Sequence, residues 1–162
     1  MPSLRRKNAQ IIAIYNRHVD TVYRVCFSFM KNKPETEDMV QETFLRLLSG
    51  NPEFENEKHE KAWLIVTASN LCKDALKKWW RGNEDIENYL HLPQKEEMHD
   101  GSILEAILAL PEDYKTAVYM YYYEGYTTTE IAQHCSCPEA TIRSRLMRAK
   151  KKLQIMLGGV ER

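Results

Sequence analysis

The chain has 162 residues, enough for one domain or two small ones, and its 23 basic and 23 acidic residues leave no net charge. A whole-chain electrostatic attraction for nucleic acid is therefore excluded. Four cysteines, no N-terminal secretory h-region and no apolar run as long as a membrane span predict a soluble, cytoplasmic chain with reduced thiols.

Apolar residues recur at helical spacing almost throughout, with no sustained period-two alternation, so the expected fold class is all-α. A first helix is predicted from about Ala9 to Met30, with Ile11, Ile12, Tyr15, Val19, Val22, Tyr23, Cys26 and Phe27 on its apolar side and a possible break near His18. Asn32 to Pro34 reads as a stop and restart. A second helix from about Glu35 to Leu48 buries Met39, Val40, Phe44 and Leu47, and Gly50 follows as its C-terminal stop. Asn51 to Glu60 is a polar loop around Phe54. A third helix spans about Lys61 to Trp80, and Gly82 closes it.

Charge then changes character. Residues 1–82 hold 14 Lys/Arg against 10 Asp/Glu, residues 83–102 hold 1 against 6, and residues 103–162 hold 8 against 7. The stretch 83–101 contains Pro93 and Gly101 and reads as an acidic linker, in which Ile86, Tyr89, Leu90 and Leu92 leave room for a short docked helix. Domains are therefore expected at 1–82 and 102–162.

Beyond the linker, Ser102 with Glu105 forms a capping-box pattern that opens a helix through about Ala109. Pro111 starts another, which stops at Gly125. Thr127 with Glu130 repeats the pattern before Ile131 and Ala132. The turn Cys135-Ser136-Cys137-Pro138 leads into a last helix capped by Ser136 or Cys137, and Ser136 with Glu139 would form a further capping box. From Thr141 to Lys152 this helix carries six Lys or Arg and no acid. Ile142, Leu146, Ala149 and Leu153 form its buried stripe, and Ala140, Ser144, Met147, Arg148 and Lys151 point away. Six cations on one helix fit a phosphate backbone, and the paired helices read as a helix-turn-helix whose second helix enters the major groove.

Other chemistries find less support. His134, Cys135 and Cys137 lack the paired spacing of a zinc site, so no metal is expected. His18, His59 and His91 are scattered, and no Gly-rich phosphate loop or nucleophile with a base at motif spacing exists. The expectation is a non-enzyme with no cofactor and no small-molecule substrate.

Asp38-Met39-Val40-Gln41-Glu42-Thr43-Phe44-Leu45 in the second helix and Lys61-Ala62-Trp63-Leu64, Ala68-Ser69-Asn70-Leu71 and Asp74-Ala75-Leu76-Lys77-Lys78 in the third carry a resemblance. With Leu110-Pro111-Glu112, Glu130-Ile131-Ala132 and Arg143-Ser144-Arg145-Leu146, they closely resemble a bacterial sigma factor of the extracytoplasmic-function type. The resemblance covers nearly the whole chain and looks like the family's minimal form. It implies a dissociable subunit of RNA polymerase. A region 2 helical bundle would bind core polymerase and melt the −10 promoter element, and a region 4 helix-turn-helix would read the −35 element. An anti-sigma factor is an implied partner; membrane insertion is not.

Carried over residue by residue, the resemblance assigns Asp38, Gln41 and Glu42 to core polymerase. They share one helix face at i, i+3 and i+4. Asn70, Lys73, Lys77, Lys78, Trp79, Trp80 and Arg81 fall to the −10 element, with cations for phosphate and an indole for base stacking. The loop Asn51 to Glu60 would help form the pocket for an extruded base, although Glu53, Glu55, Glu57 and Glu60 would repel phosphate unless they face away. Thr141, Arg143, Ser144, Met147, Arg148 and Lys151 fall to the −35 element. The acidic linker either threads a positively charged RNA exit path or serves as a tether. The competing reading is a helix-turn-helix regulator acting without core polymerase, which leaves the Asp38, Gln41 and Glu42 face unexplained.

Two substitutions separate base reading from phosphate holding. Arg148→Ala is expected to cost about 1–3 kcal/mol on a cognate −35 duplex and to relax base preference, whereas Lys151→Ala weakens all duplexes evenly. Binding titrations on cognate and scrambled duplexes decide it, and equal losses for Arg148→Ala on both would defeat the assignment.

Overall fold

The computed structural model describes residues 4–82, 106–107 and 109–156, and every regular element among them is helical. Three long helices come first: α1 (Leu4–Met30), α2 (Lys33–Gly50) and α3 (Glu57–Gly82). They pack on one another, fully burying Val22, Cys26, Leu47, Leu64, Ile65 and Cys72. Each large apolar side chain so removed from water contributes roughly 1.5–3 kcal/mol before the entropy of ordering it is set against the gain.

Helix α1 does not break at His18. That ring is buried, its Nε2 lies 2.8 Å from Glu60 Oε1, and Arg17 makes a two-pronged contact with the same carboxylate at 3.0 and 3.1 Å. A polar residue on the core side of α1 is thus paired across the bundle, and it does not interrupt the helix. Further toward the N-terminus the apolar stripe is wider than the core needs: Ile12 and Tyr15 remain exposed.

The helix ends are set by side chains at hand. Asn32 caps α2 by accepting from the Glu35 N–H at 3.0 Å. At its other end Gly50 is still helical, and Asn51 takes the left-handed conformation (φ 46°), its N–H closing onto the Leu47 carbonyl. Helix α3 begins four residues before the expected Lys61, because Asn56 caps it, accepting from the His59 N–H at 2.8 Å. Glu57 and Glu60 then sit in the first turn, where the free N–H groups favour negative charge.

The second half is built from shorter pieces. Ala106 and Ile107 are helical and buried, while the Ser102–Glu105 capping pattern, residue 108 and the linker 83–101 lie outside the described residues. After Pro111, α4 (Glu112–Val118) widens into a π-helical turn over Tyr119–Tyr123, and Gly125 (φ 82°) reverses the chain. Helices α5 (Thr128–Cys135) and α6 (Glu139–Met156) follow, packed through Ile131, Ile142, Leu146 and Ala149.

A polar seam joins the halves. Lys115, at the heart of α4, donates from Nζ to the carbonyl of Ser28 in the last turn of α1, where helical N–H partners run out. Tyr119 Oη accepts from Arg24 Nε at 3.3 Å and donates to Glu124 at 2.9 Å, and Glu124 also pairs with Lys61 at 3.1 Å. Tyr126 Oη donates to the Lys58 carbonyl at 2.8 Å.

Burial, and secondarily the charge of Lys31, lowers the Lys115 amine to about 7, with Glu112 and Cys72 opposing the shift. Its unfolded value is 10.5, so between the two values the unfolded chain holds a proton that the folded chain lacks, and stability rises with pH in that window. Relative to Lys115→Met, the wild-type chain should gain about 1 kcal/mol per pH unit from about pH 7.5 to 9.5. Denaturant unfolding of both chains across that range tests this. Parallel stability curves would contradict a neutralised buried amine.

Candidate nucleic-acid interface

The first helix of the pair is fixed by its N-terminal turn. The Thr127 hydroxyl accepts from the Glu130 N–H at 3.1 Å, and Glu130 accepts from the Thr127 N–H at 2.9 Å, which completes the capping box. At the other end Ser136 adopts the left-handed conformation (φ 54°) as the C-terminal cap of α5. Ser136 is thus committed to α5, and the Ser136–Glu139 capping box does not form. Pro138 starts α6 instead, its carbonyl receiving the N–H groups of Thr141 and Ile142.

Glu139 is used differently. Its Oε2 accepts from the Thr128 and Thr129 hydroxyls at 2.7 and 2.9 Å, and its Oε1 pairs with Arg143 Nη1 at 2.8 Å. Those hydroxyls, followed by Arg143, hold its carboxyl below the usual carboxylate range. Helix α6 buries Ile142, Leu146 and Ala149, with Leu153 half-buried. Arg143, Arg148 and Lys151 are exposed, Met147 is 61% exposed, and Thr141 and Ser144 are half-buried. The six residues singled out from sequence therefore lie off the core stripe.

The residues assigned to the −10 element divide between two places. Asn70 and Lys73 line a cleft with Cys135, Cys137, Ile142 and Arg145, so this part of α3 faces the turn of the helix-turn-helix. Burial, and next the charge of Arg145, lowers the Lys73 amine. Lys77, Lys78 and Arg81 are exposed nearer the end of α3. Trp79 is half-buried and meets Trp80 edge to face at 4.8 Å, while Trp80 is 50% exposed and lines a hollow with Phe29, Leu76 and Pro111.

Before α3, Phe54 packs edge-on against His59 and Trp63, which is half-buried. Of the four loop acids, Glu60 turns into the core toward Arg17 and His18, and Glu57 lies 3.8 Å from Arg17. Glu53 and Glu55 stay exposed. Glu57 is itself exposed, so only Glu60 is withdrawn from the loop surface.

Asp38, Gln41 and Glu42 are all exposed on α2. Gln41 borders an apolar groove between α1 and α2 lined by Tyr15, Val19, Val40, Phe44, Leu45 and Leu48. Leu45 and Leu48 were absent from the expected core, and both are exposed beside the buried Phe44 and Leu47. The signal for this groove was an apolar stripe broader than one packing face requires.

Comparison with known proteins aligns both halves. The family model Sigma-70 region 2 matches residues 14–82, and Sigma-70, region 4, matches residues 100–153. RNA polymerase sigma factor SigV of Bacillus subtilis is 29% identical over 97% of this chain and 96% of its own length. The ECF RNA polymerase sigma-E factor of Haemophilus influenzae is 33% identical over 72% of this chain and 71% of its own. In fold, the chain is similar to the sigma factor RpoE solved in complex with the anti-sigma factor NepR from Bartonella quintana. That likeness has a TM-score of 0.72 at 21% identity and covers 95% of this chain and 98% of the other.

Proposed function

The chain belongs to the extracytoplasmic-function sigma factors of the sigma-70 family, and from that membership we propose how its surfaces divide the work of promoter-directed initiation by core RNA polymerase. Residues 1–82 act as region 2, 83–101 as an acidic linker and 102–162 as region 4. The observation that carries this is the coexistence of two cationic helix surfaces, on α3 and α6, with a separate uncharged-to-acidic face on α2. A regulator that binds duplex DNA unaided needs only the cationic surface of α6 in its helix pair.

Asp38, Gln41 and Glu42 meet core polymerase, as acceptor-rich side chains suited to Arg-bearing partner helices. Arg143, Ser144, Met147 and Arg148 meet −35 base edges, with Thr141 and Lys151 at the backbone. Lys77, Lys78 and Arg81 track the −10 strand, and Trp79 and Trp80 offer stacking surface. Asn70 and Lys73 join them when the halves part, since both now face the helix-turn-helix. The protein itself catalyses no reaction and works in the cytoplasm, where an anti-sigma factor is its expected inhibitor. No described helix is long and apolar enough to cross a membrane.

Run-off transcription with purified core on a promoter library tests the proposal directly. Transcripts should require both core and this chain, whereas specific duplex binding that is unaffected by core would favour the unaided regulator. Asp38→Lys with Glu42→Lys should lower core affinity by about 2 kcal/mol, roughly thirtyfold, without changing the melting temperature, because both positions are exposed. A core-binding titration showing wild-type affinity would remove this face from the interface.

A further inference from the structure

Arg143 is the only residue of the proposed −35 set with an ion-pair partner among the described residues. That partner is Glu139, one helical turn earlier, the single acid at the head of a helix whose next thirteen residues are free of acids. An exposed i,i+4 pair of this kind is worth a few tenths of a kcal/mol to helix stability. Glu139 also sits in the first turn of α6, where the free N–H groups favour negative charge as they do for Glu57 and Glu60 in α3, so helix stability is one reason for an acid here.

The geometry around Glu139 supplies a second. A lone glutamate on a helix surface swings among rotamers, and its arginine partner swings with it. Here one carboxylate oxygen is pinned by two hydroxyls, Thr128 Oγ1 at 2.7 Å and Thr129 Oγ1 at 2.9 Å, both from the first turn of α5. The other oxygen receives Arg143 Nη1 at 2.8 Å. The carboxylate is therefore held at three points by two different helices. A guanidinium carries five N–H groups, so giving up one Nη1 proton still leaves the Nε and Nη2 edge, a fork that matches the two acceptors of a guanine.

We propose that Glu139, clamped by Thr128 and Thr129, is a positioning residue that presents Arg143 to a base edge of the −35 element and thereby sets specificity there. This rests on the reading of α6 as the −35 helix. Ordering Arg143 before DNA arrives removes part of the entropy cost of binding, and only a base with acceptors at the right place profits from that order. The negative charge adds to discrimination by weakening contacts held by phosphate attraction alone.

Two variants separate orientation from charge. Thr128→Val with Thr129→Val keeps the charge and nearly the shape but releases the carboxylate. Glu139→Gln keeps the shape but removes the charge. Each is combined with purified core polymerase and assayed for initiation on a promoter panel in which every −35 base is substituted in turn. Melting temperatures of the free chains are measured alongside.

The wild-type holoenzyme should prefer one base at the position Arg143 meets, and both variants should reduce that preference about tenfold while leaving preferences elsewhere and the melting temperatures unchanged. Glu139→Gln should also raise initiation on mismatched promoters, and the double threonine variant should not. If both variants keep the wild-type preference profile, Glu139 does not position Arg143. Uniform loss across all −35 positions together with a lowered melting temperature would show a merely structural clamp and equally overturn the proposal. A wild-type holoenzyme indifferent to every −35 base would instead sink the underlying assignment of α6.

Discussion

The position of the helix-turn-helix depends on a seam made of hydrogen bonds to main-chain carbonyls. Lys115 reaches Ser28, and Tyr126 reaches Lys58. Around them Arg24, Tyr119, Glu124 and Lys61 form a chain of donors and acceptors that crosses from α1 through the π-helical turn to α3. Net contributions of such bonds are on the order of 1 kcal/mol each, because water offers the same partners when the seam opens. Here the polar bonds run beside apolar contacts, since one buried cluster joins Met30 and Cys72 of the first bundle with Leu110, Val118 and Met120 of the second half, and Asn70 and Lys73 of α3 lie against the helix-turn-helix.

A chain of zero net charge presents cationic surfaces through the pairing of its acids elsewhere. Glu60 is spent on Arg17 and His18, Glu124 on Lys61, Glu130 on Lys58 and Glu139 on Arg143. Among the described residues no acid pairs with Lys77, Lys78, Arg81, Arg148, Lys150, Lys151 or Lys152. Four acids are held in these pairs, while Asp38, Glu42, Glu53, Glu55 and Asp74 stay exposed on α2, on α3 and in the loop between them, and the cations at the end of α3 and along α6 are left without a carboxylate partner among the described residues. Whole-chain charge therefore says nothing about the partner here; placement decides.

Much of this was legible because it is local. Helical periodicity located all three long helices and the buried stripe Ile142, Leu146 and Ala149, and Thr127 with Glu130 announced a capping box that forms. What could not be read depended on distant or competing partners. His18 resembled a helix break because its companion, Glu60, lies 42 residues away. Gly50 resembled a stop, yet Asn51 tolerates the left-handed conformation and took that place. Asn56 was hidden in a polar loop, where its use as a cap depends on which neighbouring N–H groups lack partners. The division of the residues assigned to the −10 element between a cleft and an open surface arises from docking of the two halves, which no local pattern encodes.

Thr127, Thr128 and Thr129 show how little sequence distance separates these levels. The first hydroxyl serves its own helix, accepting from the Glu130 N–H, while Glu130 also holds Lys58 at the head of α3. The next two hydroxyls leave the helix and seize Glu139 on α6. One turn of α5 therefore makes contacts on two sides, through Glu130 to Lys58 of α3 and through Thr128 and Thr129 to Glu139, the partner of Arg143 on α6. A motif search sees a cap there, because a cap needs only a three-residue spacing. The second role requires knowing that Ser136 ends α5 in a left-handed turn, which swings Pro138 and Glu139 back beside the start of the same helix. Without that reversal, Glu139 would not reach the Thr128 and Thr129 hydroxyls, and Arg143 would pair with an unclamped carboxylate.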